Sequence, residues 1–168
     1  DKKVLIDVGS AYGWFSLIFC SDESKTAFAF DGAPHAYLIL QQLKLLNNMN
    51  KLTPFRSLIG AENGLVGVVY DHFQALVAFD AANTGSDGSE LILTLDSVCE
   101  TYELVPDVIK IDVEGYEYNV LLGAEVLINN YKPMIFMEVH PKMLKYHGHN
   151  IYHVIDFFNS IGYIAYDH

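Results

Sequence analysis

Short apolar runs alternate with longer segments of helical spacing, and no other feature of this 168-residue chain limits its fold as much. The runs cover residues 4–8, 26–30, 108–113 and 134–139. Helical segments follow them at 13–20, 34–48, 116–130 and 150–160, with Leu38, Leu43, Leu45 and Leu46 as the apolar positions of the second. Strands without polar alternation are buried on both faces, as in a parallel sheet covered by helices. Right-handed crossovers then predict an α/β doubly wound sandwich.

One stretch breaks the rhythm. Residues 65–70, 74–79 and 90–95 read as strands with no convincing helix between them, which predicts an antiparallel β insertion around 64–96. The small polar tract at 81–89 inside it reads equally as a substrate flap or as a surface loop. The last residues, 162–168, read as one more strand, whose exposed edge would invite pairing. There is no repeat and no linker, so residues 1–168 are expected to form a single domain. The first run begins without a preceding Met, which reads as a fragment of a longer chain.

Charge narrows the partners. With 10 Lys+Arg against 21 Asp+Glu the formal charge is −11, and the basic footprint of a nucleic-acid binder is missing. No apolar run reaches the roughly 18 residues that span a bilayer. Cys20 and Cys99 stand far apart, so two reduced, packed thiols are expected rather than a disulfide or zinc site.

The first run leads into Asp7-Val8-Gly9-Ser10-Ala11-Tyr12-Gly13 and then a helix. A strand, a glycine-bearing turn and a helix put backbone N–H groups at the carboxyl edge of a sheet, where glycine admits a ligand closely. A dinucleotide fingerprint would need glycine at Ala11 and Trp14, and Tyr12-Gly13-Trp14 cannot end a phosphate-binding P-loop. Asp31 ends the second run, where an acidic side chain accepts both ribose hydroxyls of an adenosine; the same Asp also suits a helix cap ahead of Pro34.

Three further phrases add specificity: Asp107-Val108-Ile109-Lys110-Ile111-Asp112-Val113-Glu114-Gly115-Tyr116-Glu117, then Val120-Leu121-Leu122-Gly123-Ala124, then Lys132-Pro133-Met134-Ile135-Phe136-Met137-Glu138-Val139-His140-Pro141. Together they resemble the FkbM family of class I methyltransferases over nearly the whole chain. The resemblance implies a Rossmann-like methyltransferase sandwich and S-adenosyl-L-methionine as methyl donor. It further implies O-methylation of a hydroxyl on a sugar or polyketide-type metabolite. Where the family often has Glu-Pro after the second strand, this chain has Asp31-Gly32-Ala33-Pro34. The expected cofactor-binding residues are Asp7, Gly9, Ser10, Tyr12, Gly13, Asp31, Gly32 and Asp112.

Alternation along 109–114 would turn Lys110, Asp112 and Glu114 to one face, with Glu138 and His140 beside them on the neighbouring strand. His140, Glu138 and Asp112 are the catalytic candidates, and Glu114, Glu138 and His140 the substrate-binding ones. His140 is the natural base, because an unperturbed imidazole is mostly neutral at pH 7. Lys110 reads as a buried salt-bridge partner and His147-Gly148-His149 as a turn. Asp112, Glu114, Glu138 and His140 are of metal-ligating type, but the resemblance implies no metal and none is expected. A cytoplasmic enzyme acting on a small hydroxylated acceptor is the leading expectation, without nucleic-acid or membrane partners. A catalytically silent S-adenosylmethionine- or nucleotide-binding module of the same fold is the alternative.

Overall fold

The computed structural model describes residues 2–71, 74–78 and 88–166. Its first half runs β1 (Val4–Val8), α1 (Trp14–Cys20), β2 (Thr26–Asp31), α2 (Pro34–Leu46), β3 (Leu52–Arg56), β4 (Leu58–Ile59), β5 (Gly64–Asp71), β6 (Gln74–Val77) and β7 (Gly88–Leu93). The second half runs α3 (Leu95–Thr101), β8 (Val108–Ile111), α4 (Glu117–Leu122), α5 (Glu125–Tyr131), β9 (Met134–Met137), α6 (Pro141–Leu144), a 3-10 turn (Lys145–His147) and α7 (Ile151–Ser160).

The central sheet has the order β3-β2-β1-β8-β9 and is parallel throughout. Leu5, Ile6, Asp7 and Val8 of β1 and all four residues of β8 are buried, as central strands covered on both faces must be. Ile6, Val8, Ile109 and Ile111 pack into one layer with Val120, Leu121, Leu127 and Ile128. Leu5 and Val108 face the opposite layer with Ala27, Ala29, Leu40 and Leu52. Each fully buried Leu or Ile contributes about 1.5–3 kcal/mol of transfer free energy, so these layers hold the sheet. Alternation puts Asp7 and Lys110 on the same face as Leu5 and Val108, and the two are register partners across β1 and β8.

The expected insertion forms a second sheet of order β4-β7-β5-β6, antiparallel except where β4 meets β7. Arg56 at the end of β3 ties it to the central sheet through Glu90 of β7, which also accepts from the Tyr70 hydroxyl of β5. The stretch 79–87, with most of the expected flap, lies outside the described residues.

Four expectations need correction. The helix expected at 116–130 breaks at Gly123 and Ala124, where Gly123 packs so closely that an added Cβ would lie 1.9 Å from the Gly60 carbonyl oxygen. β8 and β9 stop at Ile111 and Met137, two residues early, so the charged residues beyond them stand in turns rather than on strand faces. Residues 162–166 carry no strand; Gly162 closes a turn, and Tyr163 donates its N–H to the Phe158 carbonyl. β3 and α3 were not anticipated. The apolar run fails in β3 at Thr53, Pro54 and Arg56, which suits an edge strand, where proline's missing N–H costs least. Leu95 opens α3 under the Thr94 cap instead of closing a strand.

Candidate active site

The turn after β1 is built by backbone conformation. Gly9, Ala11 and Gly13 all have positive φ, at +69°, +46° and +75°. At Gly9 the close neighbour is protein: a Cβ there would lie 1.8 Å from the Asp112 carbonyl oxygen, so glycine lets β1 and β8 end side by side. Gly13 starts α1 against Leu40, leaving 2.2 Å for any added Cβ. The Gly9 and Ser10 N–H groups both donate to the Phe30 carbonyl at 3.0 Å. Asp31 fastens the turn from β2, accepting Ala11 N–H at 2.9 Å and Ala33 N–H at 2.8 Å. Burial raises the Asp31 pKa, and these two backbone bonds oppose the rise.

Beneath the turn sits a buried ionic group. Asp7 is 1% exposed; its Oδ2 accepts from Ser16 at 2.7 Å and its Oδ1 lies 3.5 Å from Lys110 Nζ. Lys110 donates to the Gly9 carbonyl at 2.6 Å and reaches Asp112 Oδ2 at 3.7 Å. Burial pushes the Asp7 carboxyl up, against the pull of Lys110 and Ser16. Asp7 therefore braces the glycine turn from inside, and Lys110 is the buried salt-bridge partner expected of it.

Carboxylates and one imidazole gather where β8 and β9 end. Glu114 has φ +51° and Gly115 +104°, which turns the chain sharply out of β8. Pro141 starts α6 directly after His140, whose carbonyl accepts the N–H groups of Met143 and Leu144. His140 Nε2 lies 3.3 Å from Glu114 Oε2, 3.7 Å from Glu138 Oε1 and 4.0 Å from Asp112 Oδ1. Its Nδ1 is 2.7 Å from Glu117 Oε1. Glu138 is the outermost of the set, its side chain 69% exposed. Desolvation pulls the His140 pKa down, but the Glu117 hydrogen bond and the charges of Glu114, Glu117 and Asp112 outweigh it and hold the value above the ordinary 6.5. These three carboxylates shift the ring toward the imidazolium form relative to a free imidazole. Atoms of Asp112, Glu114 and His140 lie within 4.8 Å of one another, a spacing a divalent cation would also accept.

A cleft joins these parts. Gly9, Ala11, Asp31, Asp112, Glu114 and Tyr116 line the side of the central sheet, with Ser57 and Leu58 at one end. β6 faces them, with Gln74, Ala75, Leu76 and Val77 all lining the cleft and Gln74 Nε2 donating to Glu114 Oε1 at 3.2 Å. Of the remaining expected residues, Ser10 is buried, Tyr12 half-buried, and Gly32 packs against Leu58 and Ala75. His147 and His149 flank a turn at Gly148 and meet Tyr116 and Tyr118 edge-on, as the reading of a turn requires.

Three contributors escaped the sequence reading. Ser57 is 2% exposed and lines the cleft with no hydrogen-bond partner for Oγ among the described residues. β6 supplies a whole wall from the insertion. Glu117, fully buried, holds His140; its available signal was a charge on the helical stripe Glu117, Val120, Leu121, Ala124, whose other members are apolar.

Known proteins agree with this architecture. A solved FkbM methyltransferase from Methylobacillus flagellatus KT matches with a TM-score of 0.63 at 20% identity, over 96% of this chain and 36% of that one. A precorrin-6y C5,15-methyltransferase from Geobacter metallireducens GS-15 matches with a TM-score of 0.52 at 14% identity, over 98% of this chain and 65% of that one. The chain thus spans about a third of the first and under two thirds of the second. At these identities the two speak to the fold alone, and it is the Rossmann-like fold of methyltransferases. No curated protein sequence matches the chain. The profile of the methyltransferase FkbM domain, however, matches residues 7–165, from the glycine turn through the acidic ring to the end of the chain's last helix and beyond, and the chain belongs to that family.

Proposed function

We propose that the chain is an S-adenosyl-L-methionine-dependent O-methyltransferase acting on a hydroxyl of a small molecule, a sugar or polyketide-type metabolite. The observation that carries this reading is His140 Nε2, seated among Asp112, Glu114 and Glu138 beside a cleft floored by the glycine turn.

The residues present fit that cofactor. The buried Ser57 Oγ has polar capacity to spare, and Asp31 lies on the cleft wall where ribose hydroxyls would find an acceptor. Gly9, Asp31 and Asp112 would hold the cofactor directly, while Asp7, Ser10, Tyr12, Gly13 and Gly32 keep the turn in shape. Bound there, S-adenosylmethionine supplies a methyl on a cationic sulfonium, a charge that suits the acidic lining.

The chain's own contribution is alignment and a proton acceptor. Fixing the acceptor hydroxyl against the cofactor is worth several kcal/mol, and a positioned base adds roughly 10²–10⁴-fold. Neutral His140 takes the hydroxyl proton at Nε2, and the acceptor oxygen keeps the electron pair that becomes its new bond to carbon. Glu114 and Glu138 accept from neighbouring hydroxyls and orient the acceptor. A cytoplasmic setting goes with this reading, since both buried thiols are free.

The test is transfer of a labelled methyl from S-adenosylmethionine to a panel of sugars and hydroxylated metabolites, read by mass spectrometry. A methyl ether should form, and His140→Ala should lower kcat by roughly 10²–10⁴-fold with little change in cofactor affinity. Cofactor binding with no transfer to any acceptor would favour the silent binding module instead.

A further inference from the structure

We propose that Glu117 is the positioning residue of this site, fixing both the orientation and the tautomer of His140. The proposal rests on the reading of His140 as the base, and its geometry is independent of which acceptor is methylated.

Glu117 occupies a place where a carboxylate has no packing reason to be. It is 0% exposed and heads the buried stripe that continues with Val120, Leu121 and Ala124. Burying a carboxylate is costly unless its hydrogen bonds are met, so an apolar side chain would serve α4 better as a plain core residue. Its Oε1 instead accepts the Gly115 N–H at 2.9 Å and meets His140 Nδ1 at 2.7 Å. The first contact ties it to the turn that presents Glu114. The second ties that turn to the end of β9. Its other oxygen, Oε2, has no partner among the described residues, so Glu117 is committed through one atom.

That single contact decides the state of the ring. A neutral imidazole carries one N–H and has a carboxylate oxygen at each nitrogen, Glu117 Oε1 at 2.7 Å from Nδ1 and Glu114 Oε2 at 3.3 Å from Nε2; the shorter contact, to the fully buried carboxylate, takes the proton at Nδ1. Nε2 is then left with its lone pair on the side of Glu114, Glu138 and Asp112, two of which line the cleft. When a hydroxyl gives up its proton, the O–H bond breaks as Nε2–H forms, the electron pair stays on oxygen, and Nδ1–H remains where it was. The Glu117 carboxyl, hydrogen-bonded at Nδ1, lies against the new positive charge. The other groups facing the ring are Asp112 and Glu114 from the turn after β8 and Glu138 from the turn after β9. Lys110 stands behind Asp112, and His147, its pKa lowered by burial and by His149, sits near Glu117.

Long-range ¹H–¹⁵N spectra of the imidazoles, recorded on the whole chain from pH 5 to 9, test this without any acceptor. The His140 signals are assigned by their loss in His140→Gln. The neutral ring should be the Nδ1–H tautomer in the wild type. Glu117→Gln should abolish that preference and move the His140 midpoint down by about one pH unit or more. In turnover, the acid limb of kcat/KM should move the same way, with KM for S-adenosylmethionine unchanged. A wild-type Nε2–H tautomer, or a Glu117→Gln midpoint that does not move, overturns the proposal. Glu117→Met serves as a second, non-hydrogen-bonding variant, and thermal melts of both establish that they fold. If the tautomer and shift appear but no methyl is transferred, the reading of the reaction fails and the pairing of Glu117 with His140 stands.

Discussion

Asp31 holds two backbone N–H groups from two different loops, and that double duty makes it the residue most exposed to a conservative change. Asp31→Asn would turn one acceptor oxygen into a donor facing Ala11 N–H or Ala33 N–H. Leaving such a group unmet costs about 1–3 kcal/mol, so the urea midpoint should fall, and affinity for S-adenosylmethionine should drop about tenfold by calorimetry. As the proposed base, His140 should set the pH dependence. The base must be neutral, and its carboxylate neighbours hold its pKa above 6.5, so kcat/KM should be lost as pH falls through a limb lying above that value. A limb at or below 6.5 would detach His140 from proton transfer. Asp31 and His140 were both legible in the sequence because each closes an apolar run, where a polar residue needs a reason. Glu117 was not, since a single charge at the start of a helix is ordinarily read as solvent-facing or as favouring the helix dipole. Only its place on the buried stripe distinguishes it. A lone Ser57 between two short strands carries no pattern at all.

At the scale of elements, the site depends on where strands stop. β8 and β9 end two residues before the polar sequence would suggest, and the turns that follow bring Asp112, Glu114, Glu138 and His140 to one point. Alternation along an ideal strand anticipated their meeting, yet the agent is the positive φ of Glu114 and Gly115. The central strands were legible because burial on both faces leaves them mostly apolar, with Asp7 and Lys110 paired across β1 and β8, while β3 was hidden by the polar residues and proline that an edge tolerates. The insertion was legible as strands but not as a wall, because nothing local in residues 74–77 says what they will face. That wall makes a prediction of its own. Leu76→Asp puts another charge on the apolar side of the cleft. It should weaken cofactor binding about tenfold while leaving the melting temperature within a few degrees, β6 being an edge strand of the second sheet. An unchanged dissociation constant would remove β6 from the site.

For the molecule as a whole, the charge of −11 and the carboxylates around His140 point the same way: a cationic ligand such as the proposed cofactor should be favoured there. The glycine turn, braced from below by Asp7 and Lys110 and fastened from the side by Asp31, lines a cleft whose Asp112 and Glu114 reach His140. Membership of the FkbM family accounts for this arrangement as methyltransferase architecture, and among the described residues no helix is long and apolar enough to cross a membrane. The cleft should select S-adenosylmethionine and not a dinucleotide, and one calorimetric titration decides it. S-adenosylmethionine and its demethylated product should each bind with a dissociation constant in the micromolar range, about −8 kcal/mol, and NAD should give no heat; tight binding of NAD with no response to the other two would contradict it.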